Sequence, residues 1–174
     1  MSGSADDELL RHDPVRRDHY AEEFLELFYP VHYKIGIGIE DAMRRGKLSR
    51  HQVAVLWLLR NEGDEHGELR RKDVERHLTS WFEIQNSAVS KTLRSLAREP
   101  DPLIELFEDP SSGREKRLRL TDAGRDEISS IIAAGRAFIA RMVDHLTEVS
   151  SDEGVRFLSE VSEIIEVVRE VPPD

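Results

Sequence analysis

Residues 85–124 read QNSAVSKTLRSLAREPDPLIELFEDPSSGREKRLRLTDAG, and the hydrophobic period changes partway along them. At about 100° per residue, Val89, Leu93, Leu96 and Ala97 fall on one side of a helix and Ser87, Lys91, Arg94 and Arg98 on the other. Asn86 or Ser87 can cap its start, because a side-chain oxygen there accepts from a free backbone N–H. Pro100 and Pro102 cannot continue it. Leu103 to Phe107 and Glu115 to Leu120 then flank DPSSG at 109–113, a turn composition. Leu118 and Leu120 alternate with Arg117 and Arg119, the period of a strand with one face on a core. The far end of this hairpin carries Arg114, Lys116, Arg117 and Arg119 against one acid, Glu115.

Charge makes the stretch stand out. The 174 residues carry 35 Asp plus Glu against 25 Lys plus Arg, a formal net charge of −10. That balance argues against a general nucleic-acid coat protein. Yet Asn86 to Arg98 holds three basic residues and no acid. A helix with a basic, hydroxyl-bearing face, followed at once by a basic hairpin, is the arrangement of a winged helix-turn-helix. The helix enters a major groove, and the hairpin lies along the backbone or reaches into a minor groove. The expected contacts are Ser87, Ala88, Ser90, Lys91 and Arg94 to base edges and phosphates, Arg98 to the backbone, and Arg114, Lys116 and Arg117 from the wing. The plainer reading of the same residues is a solvated helix face and a solubilising loop.

The flanks organise around this unit. Residues 1–15 are small and polar and end near Pro14, the composition of a flexible tail. From Arg16 a helical period runs through Tyr20, Phe24, Leu27, Phe28, Val31, Ile35, Ile39 and Met43, in phase across Pro30, so a kinked helix is expected over 16–47. Leu48-Ser49-x-x-Gln52 is a capping box opening an apolar helix with Val53, Val55, Leu56, Leu58 and Leu59. NEGDEHGE at 61–68 reads as a solvated loop, Leu69 to Leu78 as the supporting helix, and TSWFEIQNS at 79–87 as a long turn. Thr121 caps a long helix with Ile128, Ile131, Ile132, Phe138, Ile139, Met142, Val143 and Leu146 in one stripe. Ser150-x-x-Glu153 opens a last helix with Leu158, Val161, Ile165 and Val168 at coiled-coil spacing. The terminal helices carry more apolar surface than a DNA-binding core needs. The expected division is therefore a tail at 1–15, dimerisation helices at 16–47 and 125–171, and a winged helix-turn-helix at 48–124.

The motifs VSKTLRSLARE at 89–99, DPSSGREKRLRLTDAG at 109–124 and SRHQVAVLWLL at 49–59 resemble the MarR family of bacterial winged-helix regulators. Two departures are visible: Ser112 stands where the family's wing usually has an aspartate, and the 79–87 turn looks longer than the family's. The resemblance implies a mainly α fold with a small β-hairpin wing and long N- and C-terminal dimerisation helices. It implies a cytoplasmic homodimer on a pseudo-palindromic double-stranded DNA operator, usually a repressor relieved by a small molecule. Tyr29, Tyr33, Trp57, Trp81 and Phe82 are either core or the lining of a pocket for a small aromatic effector.

Other chemistry finds little support. With no Cys there is no disulfide, thiolate nucleophile or cysteine redox sensor. The seven histidines include no pair three or four apart in a ligand pattern, so neither metal nor cofactor is expected. No nucleophile–base pair or glycine-rich phosphate loop suggests an enzyme. No apolar run of about 18 residues suggests a membrane span, and no signal peptide opens the chain. A winged helix used as a protein-interaction module is the alternative, and the acid-free 86–98 segment argues against it.

Overall fold

In the computed structural model, which describes residues 13–109, Ser112 and 115–170 with side chains as far as residue 164, eight segments of helix and three strands follow one another. They are α1 (Pro14–Phe28), a π-helical stretch (Tyr29–Gly36), α2 (Ile37–Arg44), α3 (Arg50–Glu62), β1 (Glu68–Arg70), α4 (Arg71–Phe82), α5 (Asn86–Leu96), β2 (Ile104–Glu108), β3 (Lys116–Leu120), α6 (Asp122–Val143) and α7 (Glu148–Glu170). The fold is mainly helical with one small antiparallel sheet, as the sequence implies.

The buried residues all come from the middle of the chain. Val53, Val55, Leu56, Leu58 and Leu59 of α3 meet Val74 and Leu78 of α4, Val89, Leu93 and Leu96 of α5, Ile104 and Leu118 of the sheet, and Ile128 and Ile131 of α6. α3 is therefore the hub. Its start is the capping box read from the sequence: Ser49 Oγ accepts from Gln52 N–H, and Gln52 Oε1 accepts from Ser49 N–H at 2.7 Å. Thr121 Oγ1 likewise accepts from Gly124 N–H at 3.0 Å. Gly124 cannot be larger, since a Cβ there would lie 1.9 Å from the Leu103 carbonyl oxygen.

Several boundaries differ from expectation for local physical reasons. α1 begins at Pro14, inside the expected tail, because Asp13 caps it by accepting from Val15 and Arg16 N–H, and proline suits a first helical position, where its missing N–H costs nothing. Residues 1–12 lie outside the described part. Pro30 does not stop the helix. The ladder widens around it, with Ile37 N–H reaching His32 O, five residues back, a π-type adjustment around a residue that has no N–H to donate. α2 then crosses α6 closely, where a Cβ on Gly38 would meet the Phe138 ring at 2.6 Å.

The expected loop at 61–68 ends in a strand. β1 pairs with β3 through Leu69 opposite Leu118, giving the sheet order β1-β3-β2. Three residues are too few to show an alternation. The long turn at 79–87 is mostly helix: α4 runs on to Phe82, with Trp81 5.2 Å from the His77 ring one turn back and Phe82 4.9 Å from His51 of α3. Glu83, at φ 50°, ends it, and the turn is only Glu83 to Gln85. Gln85, not Asn86 or Ser87, occupies the cap position of α5, without a side-chain hydrogen bond. The cap of α7 is Thr147, whose hydroxyl accepts from Ser150 N–H at 3.1 Å, displacing the expected Ser150 box by one turn.

Candidate nucleic-acid interface

α5 shows the two faces its sequence dictates. Val89, Leu93 and Leu96 are buried, whereas Ser87, Lys91 and Arg94 are exposed and Ala88 and Ser90 half-buried. Among the described residues Lys91, Arg94 and Arg98 have no carboxylate partner. Arg98 is exposed but lies past the end of the helix, which closes at Leu96 with Ala97 as its cap. Ser90 is already engaged, its Oγ accepting from Arg71 Nη2 of α4 at 2.9 Å.

The wing is less free than its composition suggests. Lys116 is exposed at the start of β3, and Arg114 lies outside the described residues. Arg117, expected at a free cationic tip, does lie near the loop end of the hairpin, opposite Phe107, but it is fixed there in a carboxylate cage. It pairs with Asp64 and lies 3.1 Å from Glu68 and 3.5 Å from Asp109, itself only 5% exposed. Arg117 Nε sits at the Glu68 distance without the direction of a hydrogen bond, so that contact is mainly Coulombic. Arg119 pairs with Glu105 at 2.8 Å and lies over the Phe107 ring at 4.9 Å. The acid-rich loop that looked merely solvated is therefore the wing's anchor.

That anchor titrates. The backbone N–H of Glu68, then that of His66, donate to Asp64 Oδ1, and with the Arg117 charge nearby they hold the Asp64 carboxyl below the usual carboxylate range. A depressed folded pKa contributes stability above the unfolded pKa and loses it as pH falls through the folded one. Arg117→Met is expected to leave Asp109 buried without this cation and to destabilise the domain by about 3 kcal/mol, read by urea unfolding at neutral pH. The difference from wild type is expected to shrink below the carboxylate range; an equal penalty at all pH would show that packing, not charge, sets it.

The aromatic set divides. Trp57, Trp81 and Phe82 line one cavity of about 330 Å³ with Glu40, Met43, Arg44, Arg50, Val53 and Ala54. Arg50 pairs with Glu40 at 2.6 Å and sits over the Phe82 ring at 5.6 Å. Tyr29 and Tyr33 are not part of it. They lie on the π-helical stretch, exposed, with their rings 5.5 Å apart. The sequence grouped the five by residue type, which carries no information about place. Among the described residues no three His, Asp or Glu side chains gather as a metal site, and no helix is long and apolar enough to cross a membrane.

The model of the family described as Winged helix DNA-binding domain matches residues 48–124. That segment runs from just before α3 to the start of α6 and takes in the three-stranded sheet. Over most of its length the fold is like that of several solved structures. RV1404 from Mycobacterium tuberculosis shares 22% identity over 88% of this chain and 95% of its own, with a TM-score of 0.60. A MarR family transcription regulator, SP03579, shares 19% over 90% and 98%, again at 0.60. A point mutant of S. aureus MepR, solved bound to an oligodeoxyribonucleotide, shares 18% over 82% and 97% at 0.56. No curated protein sequence matches the chain. In the order of a winged-helix domain, α4 takes the place of the supporting helix, α5 that of the recognition helix, and β2–β3 that of the wing.

Proposed function

We propose that two copies of this chain form a sequence-specific transcriptional regulator, a repressor that grips a pseudo-palindromic duplex operator and is released by a small aromatic effector. The observation carrying the DNA reading is the distribution of paired and unpaired cations. Arg70, Arg71, Lys72, Arg76, Arg117, Arg119 and Arg125 all face carboxylates, whereas Lys91 and Arg94 on the recognition helix face none among the described residues. The supporting helix α4 pairs all three of its cations with carboxylates, and an acidic protein that leaves the cations of the next helix open on an acid-free face is arranged for an external anion. Ser87, Ala88 and Ser90 beside them can read base edges.

The test is to recover genomic fragments bound by the purified protein and sequence them. Enrichment of an inverted repeat with half-sites about 34 Å apart is expected. No enrichment over bulk DNA would favour a protein-interaction module.

Pairing of two copies is supported by where burial stops. No residue of α1, the π-helical stretch or α2 is buried, although their apolar stripe is long, and Phe24 of α1 stacks on Phe157 of α7 at 5.5 Å beside an open apolar groove. A second copy, carrying the same stripes, is the occupant. The effector reading rests on the Trp57–Trp81–Phe82 cavity, whose rings suit a planar ligand; an acidic one would compete with Glu40 for Arg50 and with Asp41 for Arg44. Tryptophan fluorescence is expected to be quenched by some members of a panel of small aromatic acids; silence across the panel would leave the three rings a packing role.

A further inference from the structure

Glu115 is the acid that the sequence leaves alone among the wing's cations, and its carboxylate lies in a cleft lined by Arg70, Arg71, Lys72, Glu75 and Lys116. Lys72 Nζ donates to Glu115 Oε1, and Arg70 Nε lies 3.8 Å from Oε2. The Lys72 hydrogen bond first, and the charges of Lys72 and Arg70 after it, hold the carboxyl below its usual range. Glu75 is occupied elsewhere, paired with Arg71 at 2.9 Å. Arg71 in turn donates to Ser90 of the recognition helix. The cleft thus lies between β1, α4 and the wing, and one of its lining residues, Arg71, also touches the recognition helix.

A duplex held by the recognition helix and the wing carries its phosphate backbone across the space between them. Lys and Arg side chains gathered there are the donors such a backbone takes, and two of them are held by a carboxylate from the wing itself. Resting on the DNA-binding reading above, we propose that this cleft is a DNA-phosphate site whose place Glu115 holds in the free protein, so that duplex binding must displace Glu115 from Lys72 and Arg70. The effect is independent of sequence. It lowers affinity for any duplex and leaves selection to the recognition helix.

The experiment follows anisotropy of the full-length protein on a fluorescent mixed-sequence duplex about three helical turns long, across a salt series. Glu115→Gln is expected to tighten binding on the order of fivefold, the scale of one exposed ion pair no longer broken. Lys72→Ala is expected to weaken binding and to flatten the slope of log K against log salt by about 0.9 for each phosphate the protein no longer neutralises. In the Lys72→Ala background Glu115→Gln should gain markedly less. An equal gain in both backgrounds overturns the proposal, because general repulsion of DNA by one acid would act without Lys72. Unchanged or weaker binding by Glu115→Gln overturns it as well and leaves the DNA-binding reading intact. Wild-type protein that binds no duplex, genomic fragments included, overturns both.

Discussion

Duplex binding by the Lys91→Ala, Arg94→Ala double variant is expected to fall at least about a hundredfold at physiological salt, since forgoing a hydrogen bond to a base edge or phosphate costs about 1–3 kcal/mol. The salt slope is expected to fall in parallel by about 0.9 for each phosphate left without its cation. Both side chains are exposed and have no ion-pair partner among the described residues, so the melting temperature should stay within the small range of surface substitutions. That combination separates an interface residue from a structural one. Retained affinity on an operator recovered from genomic DNA would show that the open cations of α5 are an ordinary solvated face. Ser87→Ala, by contrast, should change which fragments are recovered more than how tightly they are held, because a hydroxyl carries base information but no net charge.

The second large effect concerns assembly. Leu27 on the apolar stripe of α1 is 54% exposed and Leu158 on that of α7 is 66% exposed, so replacing both by glutamate removes little packing within one chain. In a paired molecule the same positions would place unpaired carboxylates in an apolar interface, at several kcal/mol each. Light scattering is expected to show the mass of two chains for wild type and of one for Leu27→Glu, Leu158→Glu. Operator affinity is expected to fall by about 10²–10⁴, because two half-sites are no longer tethered. A variant that stays dimeric would place the interface elsewhere on the chain; a wild-type monomer would remove the pairing reading altogether.

The elements that could be read from the sequence share one property: the interactions that define them are local. The buried and exposed faces of α5 follow from side chains three and four residues apart. Ser49 with Gln52 and Thr121 with Gly124 are caps closed within one turn. Even where a boundary moved, the reason was local but ambiguous. Trp81 and Phe82 read as turn residues because two adjacent aromatics have no helical period of their own, and the His77 and His51 rings that hold them are decided by packing. Pro14 reads equally as the end of a tail or the start of a helix until Asp13 is seen to cap it.

The site divides in the same way. The sequence by itself placed a cationic face on one helix, an arginine-rich hairpin after it and unpartnered apolar stripes at both ends, because charge and period are properties of a single segment. Only the tertiary structure decided which cations remain open. Arg117 meets Asp64 across 53 residues, and Lys72 meets Glu115 across 43. Both meetings depend on the three-residue strand β1 finding β3. Like charges on one segment look alike until folding brings carboxylates from distant segments within a few ångströms, and Coulomb attraction, which falls with distance, then commits some of them to the protein and leaves the rest for a ligand.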